Sequence, residues 1–108
     1  MAQDFRNTLN SATGTGAATL VNAGDYDAVI GIRCCNILTT TIEVDVYVTN
    51  SATNYYLAKG VVIPPNSAVE LIQGGAKVVL KNGDVLYAKS DTASSLDTIT
   101  SYIDTISS

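Results

Sequence analysis

The side chains in this sequence most able to do chemistry are carboxylates, and one pair has a suggestive spacing. Glu43 and Asp45 lie two residues apart in a stretch that alternates like a β-strand. Both would project from one face, about 7 Å apart at a rise of ~3.3 Å per residue. That separation suits the carboxyl pair of an inverting glycosidase. Because the sequence has no Trp to form a sugar platform, solvated acids on a strand face are the favoured interpretation.

A second acidic pair, Asp25 and Asp27, flanks Tyr26 and is a candidate cation site. Calcium takes about six to eight oxygen ligands, and the ligand-rich loop spacing that supplies them is missing here. The sequence also has no His, which removes the usual general base and the Ser-His and Cys-His nucleophile pairs. We therefore predict a protein that is not an enzyme, with no catalytic residue, metal site or cofactor.

Cys34 and Cys35 are adjacent and are the only two cysteines. Neighbouring side chains of a strand point to opposite faces, so we expect one thiol in the core and the other facing solvent or a partner. A disulfide between the two would be strained. An intermolecular disulfide through Cys35, formed when an assembled particle meets an oxidising medium, is kept as a hypothesis.

Charge and hydropathy exclude several classes of partner. The net charge is −4 and the six Lys and Arg residues are scattered, so no cationic face is available for a phosphate backbone and no direct nucleic-acid binding is expected. No run of about 18 apolar residues exists, which predicts no membrane span. The start, MAQDFRNTLN, lacks the features of a signal peptide, so we expect the chain to remain in the cytoplasm or to leave by a non-secretory route.

The elements that position these residues are predicted to be strands. Residues 42–49 alternate strictly, with β-branched residues on one face and polar residues on the other. Further strands are predicted over 18–22, 28–35, 55–63, 68–72, 77–80, 85–90 and 96–103. Asn82-Gly83 predicts a two-residue hairpin between the strands on either side of it. The fold class is therefore all-β, an antiparallel β-sandwich of about seven to nine short strands over residues 17–108.

Residues 1–16 form a separate N-terminal segment in this interpretation, because the turn-rich NSATGTG at 10–16 divides them from the first predicted strand. Phe5, the only Phe, lies in this segment. Two alternatives stay open: a flexible arm that docks on a neighbouring subunit by strand addition, or an edge strand of its own domain.

Aromatic side chains are the candidate protein-interface residues. Tyr offers a large rigid surface with one polar tip, which suits interfaces, whereas Tyr pairs on adjacent strands also stabilise sheets. Tyr47 and one of its two neighbouring tyrosines are expected outside the core, since Tyr47 lies on the polar face of its strand. The candidate interface set is Phe5, Tyr47, Tyr55, Tyr56 and Tyr87.

The motifs occur in a recognisable order: VDVYVT at 44–49, YYL at 55–57, an Ile-Pro turn at 63–64, the strand 77–80 with Gly83-Asp84, and ASSLD at 93–97. In that order, and with the start MAQDFRN, the sequence resembles a family of small β-sandwich virion structural proteins of tailed bacteriophages. The resemblance covers nearly the whole chain. It implies a multi-copy structural component of the virion that binds copies of itself and other virion proteins.

The position in the particle is left with alternatives. We expect a component of the neck, collar or tail, assembled in the host cytoplasm and located in the virion. A capsid decoration, or cement, protein is the first alternative. A carbohydrate- or receptor-binding module is the second, although the sequence has no Trp and no aromatic cluster of the kind that binds sugars.

Overall fold

The computed structural model describes residues 4–23, 26–72 and 78–104, and these ranges contain nine strands and no helix. No helix in them therefore has the length and hydropathy to span a membrane. The strands are β1 (Asp4–Thr13), β2 (Ala18–Asn22), β3 (Asp27–Asn36), β4 (Ile42–Asn50), β5 (Thr53–Ile63), β6 (Ala68–Glu70), β7 (Val78–Leu80), β8 (Val85–Ser90) and β9 (Leu96–Asp104). The predicted all-β class is confirmed.

The strands form two antiparallel sheets. Sheet 1 has the order β1-β9-β3-β6, and β7 also pairs with β3; sheet 2 has the order β2-β8-β4-β5. Alternate residues of each strand face the other sheet, as the strict alternation of residues 42–49 predicts. Ile42, Val44 and Val46 of β4 are buried in one core cluster with Ile32 and Cys34 of β3. The sandwich is therefore held by β-branched and aliphatic side chains, each contributing about 1.5–3 kcal/mol when fully buried.

The described part of the N-terminal segment is an edge strand, the second of the two alternatives that the sequence left open. β1 pairs antiparallel with β9, from Asp4 opposite Asp104 to Thr13 opposite Leu96. The register shifts between Asn10 and Thr13, where Ala12 has a positive φ of 53°. Residues 4–13 are thus an edge strand of their own domain rather than a free arm. Whether β1 also contacts a neighbouring copy stays a prediction.

The predicted Asn82-Gly83 hairpin is wrong. The turn itself forms, because the Asp84 N–H donates to the Lys81 carbonyl at 2.9 Å, and Gly83 has a φ of 96°. Only the second central residue is left-handed, which defines a type II turn rather than the type I′ turn of a hairpin. β7 belongs to sheet 1 and β8 to sheet 2, so the turn crosses between sheets. Lys77, predicted to begin this strand, lies outside the described residues.

The tight hairpin forms instead between β4 and β5, at Ser51 and Ala52. Both residues are left-handed, with φ of 52° and 64°, and they follow the paired residues Asn50 and Thr53. These are the dihedral signs of a type I′ turn, which matches the right-handed twist of its strands. The turn contains no Gly, so its backbone is held by the flanking pairing rather than by local preference.

The connection from β8 to β9 joins the two sheets through a buried hydroxyl pair. Ser90 and Ser95 place their Oγ atoms 2.6 Å apart, and the Ser95 hydroxyl also lies 2.7 Å from the Thr92 carbonyl, to which it donates. Because the Ser95 proton is used there, Ser90 is the donor between the two hydroxyls. This connection fixes the position of Asp91, at the end of sheet 2.

Candidate protein-interaction surfaces

The outer face of sheet 2 carries a row of tyrosines on adjacent strands. Tyr47 of β4 pairs in register with Tyr56 of β5 and with Tyr87 of β8. The ring centroids lie 5.1 Å apart for Tyr47 and Tyr56, and 5.6 Å apart for Tyr47 and Tyr87, both with tilted planes. Tyr47 is only 7% exposed although none of the described strands packs over this face. The neighbouring rings exclude water from it.

This packing changes the electrostatics of the central ring. Desolvation raises the pKa of the Tyr47 hydroxyl, and Tyr56, Tyr87 and Asp45 add to the effect in that order. The Lys59 ammonium lies 4.5 Å from the centroid of the Tyr56 ring, a cation–π contact worth about 0.5–1 kcal/mol at an exposed site. The three tyrosines therefore pack against one another across adjacent strands and stabilise the sheet. Sheet stabilisation was one of the two roles that the sequence left open for them, and binding to another protein was the other.

The five predicted interface residues do not form one surface. Tyr47, Tyr56 and Tyr87 share the outer face of sheet 2. Tyr55 is exposed near the Ser51-Ala52 hairpin, where it lines a small groove with Val48 and Lys81. Phe5 lies on sheet 1. Their role in binding other proteins stays a prediction for all five.

The carboxylates at 43 and 45 share the outer face of β4, but their surroundings are structural. The Asp45 Oδ1 accepts the Gly60 N–H at 2.7 Å, and Lys89 is the register partner of Asp45 on β8. The Glu43 N–H donates to Asp91 Oδ1 at 3.1 Å. That hydrogen bond, followed by one from the Thr92 hydroxyl, lowers the pKa of Asp91.

Metal ligation has no support in the described ranges, which contain no group of three or more His, Cys, Asp or Glu side chains placed to hold an ion. Asp27 is buried in β3, and Asp25 lies outside the described residues. The predicted absence of a metal site stays a prediction for the chain as a whole.

The two cysteines divide as strand alternation predicts. Cys34 is completely buried in the core, and burial, with a smaller effect from Glu70, raises the pKa of its thiol to about 12. Cys35 is half-buried on the outer side of sheet 1. Both thiols are free. Cys34 stays protonated at neutral pH and behaves as a small apolar core residue.

The outer face of sheet 1 is a surface that sequence analysis missed. Phe5 and Leu9 of β1 are 76% and 66% exposed, and Ile99 of β9 and Val79 of β7 are also exposed. Register places Phe5 beside Ile103 and Leu9 beside Ile99. The sequence did contain an indication of this surface, because Phe5, Asn7 and Leu9 occupy alternate positions and so share one strand face. The surrounding Asn, Ser and Thr residues obscured that pattern.

The fold is thus a two-sheet antiparallel sandwich with exposed apolar and aromatic side chains on both outer faces. No protein-family model matches the chain, and no curated protein matches its sequence. Solved structures do match. Two are crystal structures of a pentameric capsid protein isolated from metagenomic phage sequences. One has a TM-score of 0.53 at 19% sequence identity, and the other 0.52 at 18%.

The coverage of these matches is unequal. Each alignment includes 91% of this chain, but only 60% of the first solved chain and 59% of the second. The chain therefore spans about three fifths of the length of those capsid proteins. At this identity the similarity establishes that the sandwich is shared, and it establishes the fold alone.

Proposed function

We propose that this chain is a non-enzymatic structural protein of a bacteriophage particle, present in many copies and bound to copies of itself and to other virion proteins. The observation that carries the proposal is the sandwich shared with pentameric phage capsid proteins over 91% of the chain. The order of strand and turn motifs, from VDVYVT to ASSLD, points to phage virion proteins independently of that likeness.

The composition and the surfaces agree with this role. Charged residues make up only 15% of the chain, against roughly 25% in typical soluble domains. Lys and Glu are depleted where surfaces are covered by a neighbour. Exposed apolar side chains on both outer faces, such as Leu9 and Tyr56, give such neighbours something to cover.

For the position in the particle we propose the neck, collar or tail. The second candidate, a capsid decoration protein, draws on the description of the matched structures as capsid proteins. The two positions differ in copy number, because a decoration protein occurs in hundreds of copies and a neck or tail component in about a dozen.

Quantitative mass spectrometry of purified particles that carry this gene tests both levels of the proposal. The chain should be present in stoichiometric amounts, and its ratio to the major capsid protein separates the two positions. Gold-labelled antibody on whole particles gives the location directly. Absence of the chain from particles purified through two density gradients would overturn the structural role.

A further inference from the structure

The outer face of sheet 1 is shaped as two ridges with a groove between them. Pairing of β1 with β9 places Phe5 beside Ile103 in one row and Leu9 beside Ile99 in another. The row between them holds only small or polar residues, Asn7 beside Ser101, which in turn pairs with Gly31 of β3. Rows on one face of a strand are about 7 Å apart, so a ridge and a groove alternate at that spacing.

The groove is open above Gly31. A Cβ atom built on Gly31 meets no heavy atom within 4 Å, and Gly31 does not have a positive φ. A depression of about 630 Å³ lies beside Gly31 and is lined by Phe5, Arg6, Asn7, Ile30, Ser101 and Tyr102. Gly31 therefore leaves room on this face that the fold of the single chain does not use.

The apolar ridges are more exposed than the stability of one chain requires. Phe5 is 76% and Leu9 66% exposed, in contrast to the mutually shielded tyrosines of sheet 2. Contiguous apolar side chains of this kind on a soluble domain mark interaction sites. Both residues belong to β1, which is an edge strand of sheet 1 among the strands that the structure describes.

The charges around the ridges identify the kind of partner. The chain carries a net charge of −4, so two copies repel each other in general. On this face, however, Arg33 lies opposite Ile99 and pairs with Glu70 at 2.8 Å. The Asp97 carboxylate accepts the Ala12 N–H at 2.8 Å. The Arg33–Glu70 pair therefore adds no net charge beside the Leu9–Ile99 ridge, where a second acidic copy meets less repulsion than on a face of carboxylates alone.

We propose that the outer face of sheet 1 binds the same face of a second copy, with the Phe5–Ile103 ridge of each copy lying in the Gly31 groove of the other. A face that carries both ridge and groove at one spacing is complementary to itself, which is what a two-fold interface requires. Two sheets packed in this way lie about 10 Å apart. That the chain forms a homo-oligomer is part of the proposed function, on which this proposal rests. The proposal adds the surface through which the copies bind each other.

Sedimentation velocity of the full chain over a concentration series tests this surface. The unmodified chain should show a concentration-dependent dimer. Gly31→Val places its Cβ where no heavy atom lies within 4 Å, and its two methyl groups extend into the groove. It should therefore raise the dimer dissociation constant at least tenfold, while the β-branched residue in a strand keeps or increases the thermal stability of the dilute protein. Leu9→Ser lowers one ridge at an exposed position and should weaken the dimer in the same direction.

Gly16→Val is the matched control, because a Cβ atom there also meets nothing within 4 Å and Gly16 lies on the loop before β2. It should leave the dimer unchanged. The proposal is wrong if the unmodified chain stays monomeric to several hundred micromolar, or if its oligomer survives both Gly31→Val and Leu9→Ser. Either result leaves the particle mass spectrometry unaffected, so failure of this surface is distinguishable from failure of the virion role.

Discussion

The two outer faces of the sandwich differ in how far their aromatic and aliphatic side chains are exposed to solvent. On sheet 2, Tyr47 is 7% exposed because rings on both neighbouring strands close over it. On sheet 1, Phe5 is 76% exposed, since its row neighbour is Ile103 and the next row is made of small residues. Within the described residues, the chain places no further strand over either face.

The difference indicates that burial on an outer face is decided by same-face neighbours. Aromatic rings in register on three adjacent strands cover one another and add to the stability of the single domain. On sheet 1, the apolar rows are separated by Asn7, Ser101 and Gly31, so their side chains cannot cover one another and stay exposed to water. The tyrosine face of sheet 2 should therefore contribute to folding and the ridged face of sheet 1 to association, a contrast that substitutions can test.

The largest expected effect comes from removing the central ring of sheet 2. Tyr47→Ala should lower the free energy of unfolding by about 3 kcal/mol, since it deletes a buried ring and exposes parts of Tyr56 and Tyr87. Leu9→Ala on sheet 1 should change it by less than about 0.5 kcal/mol, because Leu9 is already mostly exposed. Urea unfolding of dilute protein measures both, and equal losses for the two variants would contradict the comparison.

A smaller effect is expected beneath the ridged face, on the inner side of sheet 1. Thr98 and Thr100 are buried there, and their hydroxyls have no hydrogen-bond partner within the part of the chain that the structure describes. Thr100→Val keeps the shape and removes an unpaired polar group, so it should stabilise the domain by about 1 kcal/mol and raise Tm by about 4 °C.

Thr19→Val, at an exposed position on the outer face of β2, is the control for that change. It should shift Tm by less than about 2 °C, since surface substitutions stay within about 0.5 kcal/mol. If Thr100→Val destabilised the domain while Thr19→Val did not, the Thr100 hydroxyl would have a partner in the folded protein.

The coupling inside the tyrosine row is the next test. A double-mutant cycle with Tyr47→Leu and Tyr56→Leu should give an interaction energy of about 0.5–1.5 kcal/mol, the range for tilted aromatic pairs beyond their buried area. The same cycle on Leu9 and Ile99 of sheet 1, with both changed to Ala, should give a value near zero in dilute protein. A coupling near zero in both cycles would mean that the rings are adjacent without stabilising each other.

The smallest expected effect is on the acid stability of sheet 2. The pKa of Asp91 is lowered from its ordinary value of 3.8, mainly by the Glu43 N–H. Its ionised form therefore contributes stability above about pH 4, and this contribution is lost as the pH falls through the lowered pKa. Asp91→Asn should lower the urea midpoint slightly at pH 7 and flatten its fall below pH 4, where the difference between the two proteins disappears. Parallel profiles for the two proteins would rule out this role.

Much of the fold follows from the sequence because strand alternation is local. The bounds of β2 and β8 coincide with the predicted strands, and β4 extends its prediction by one residue, to Asn50. β1 stayed ambiguous because Asn, Ser and Thr on both its faces hide the Phe5 and Leu9 pattern. The assignment of strands to sheets is not local, which is why Asn82-Gly83 suggested a hairpin where the chain crosses between sheets.

The surfaces are less predictable for the same reason. The sequence indicates which residues are outward on a strand, as for Tyr47 and Cys35, but not which strand lies beside them. Shielding of Tyr47 depends on Tyr56 and Tyr87 reaching it across two pairings. The ridges of sheet 1 likewise exist only because a strand from one end of the chain pairs with a strand from the other.

The pairing of β1 with β9 also sets the order in which the domain is completed. Asp4 and Asp104 face each other although 100 residues separate them, so this pairing closes the longest loop of the described fold. During synthesis β9 emerges after the other eight described strands, and β1 has no pairing partner in sheet 1 until then. During that interval, the β1 strand of a nearby copy can compete for pairing with β9, and the competition becomes stronger as the local concentration of copies rises. We therefore expect any exchange of β1 between copies to increase with local concentration.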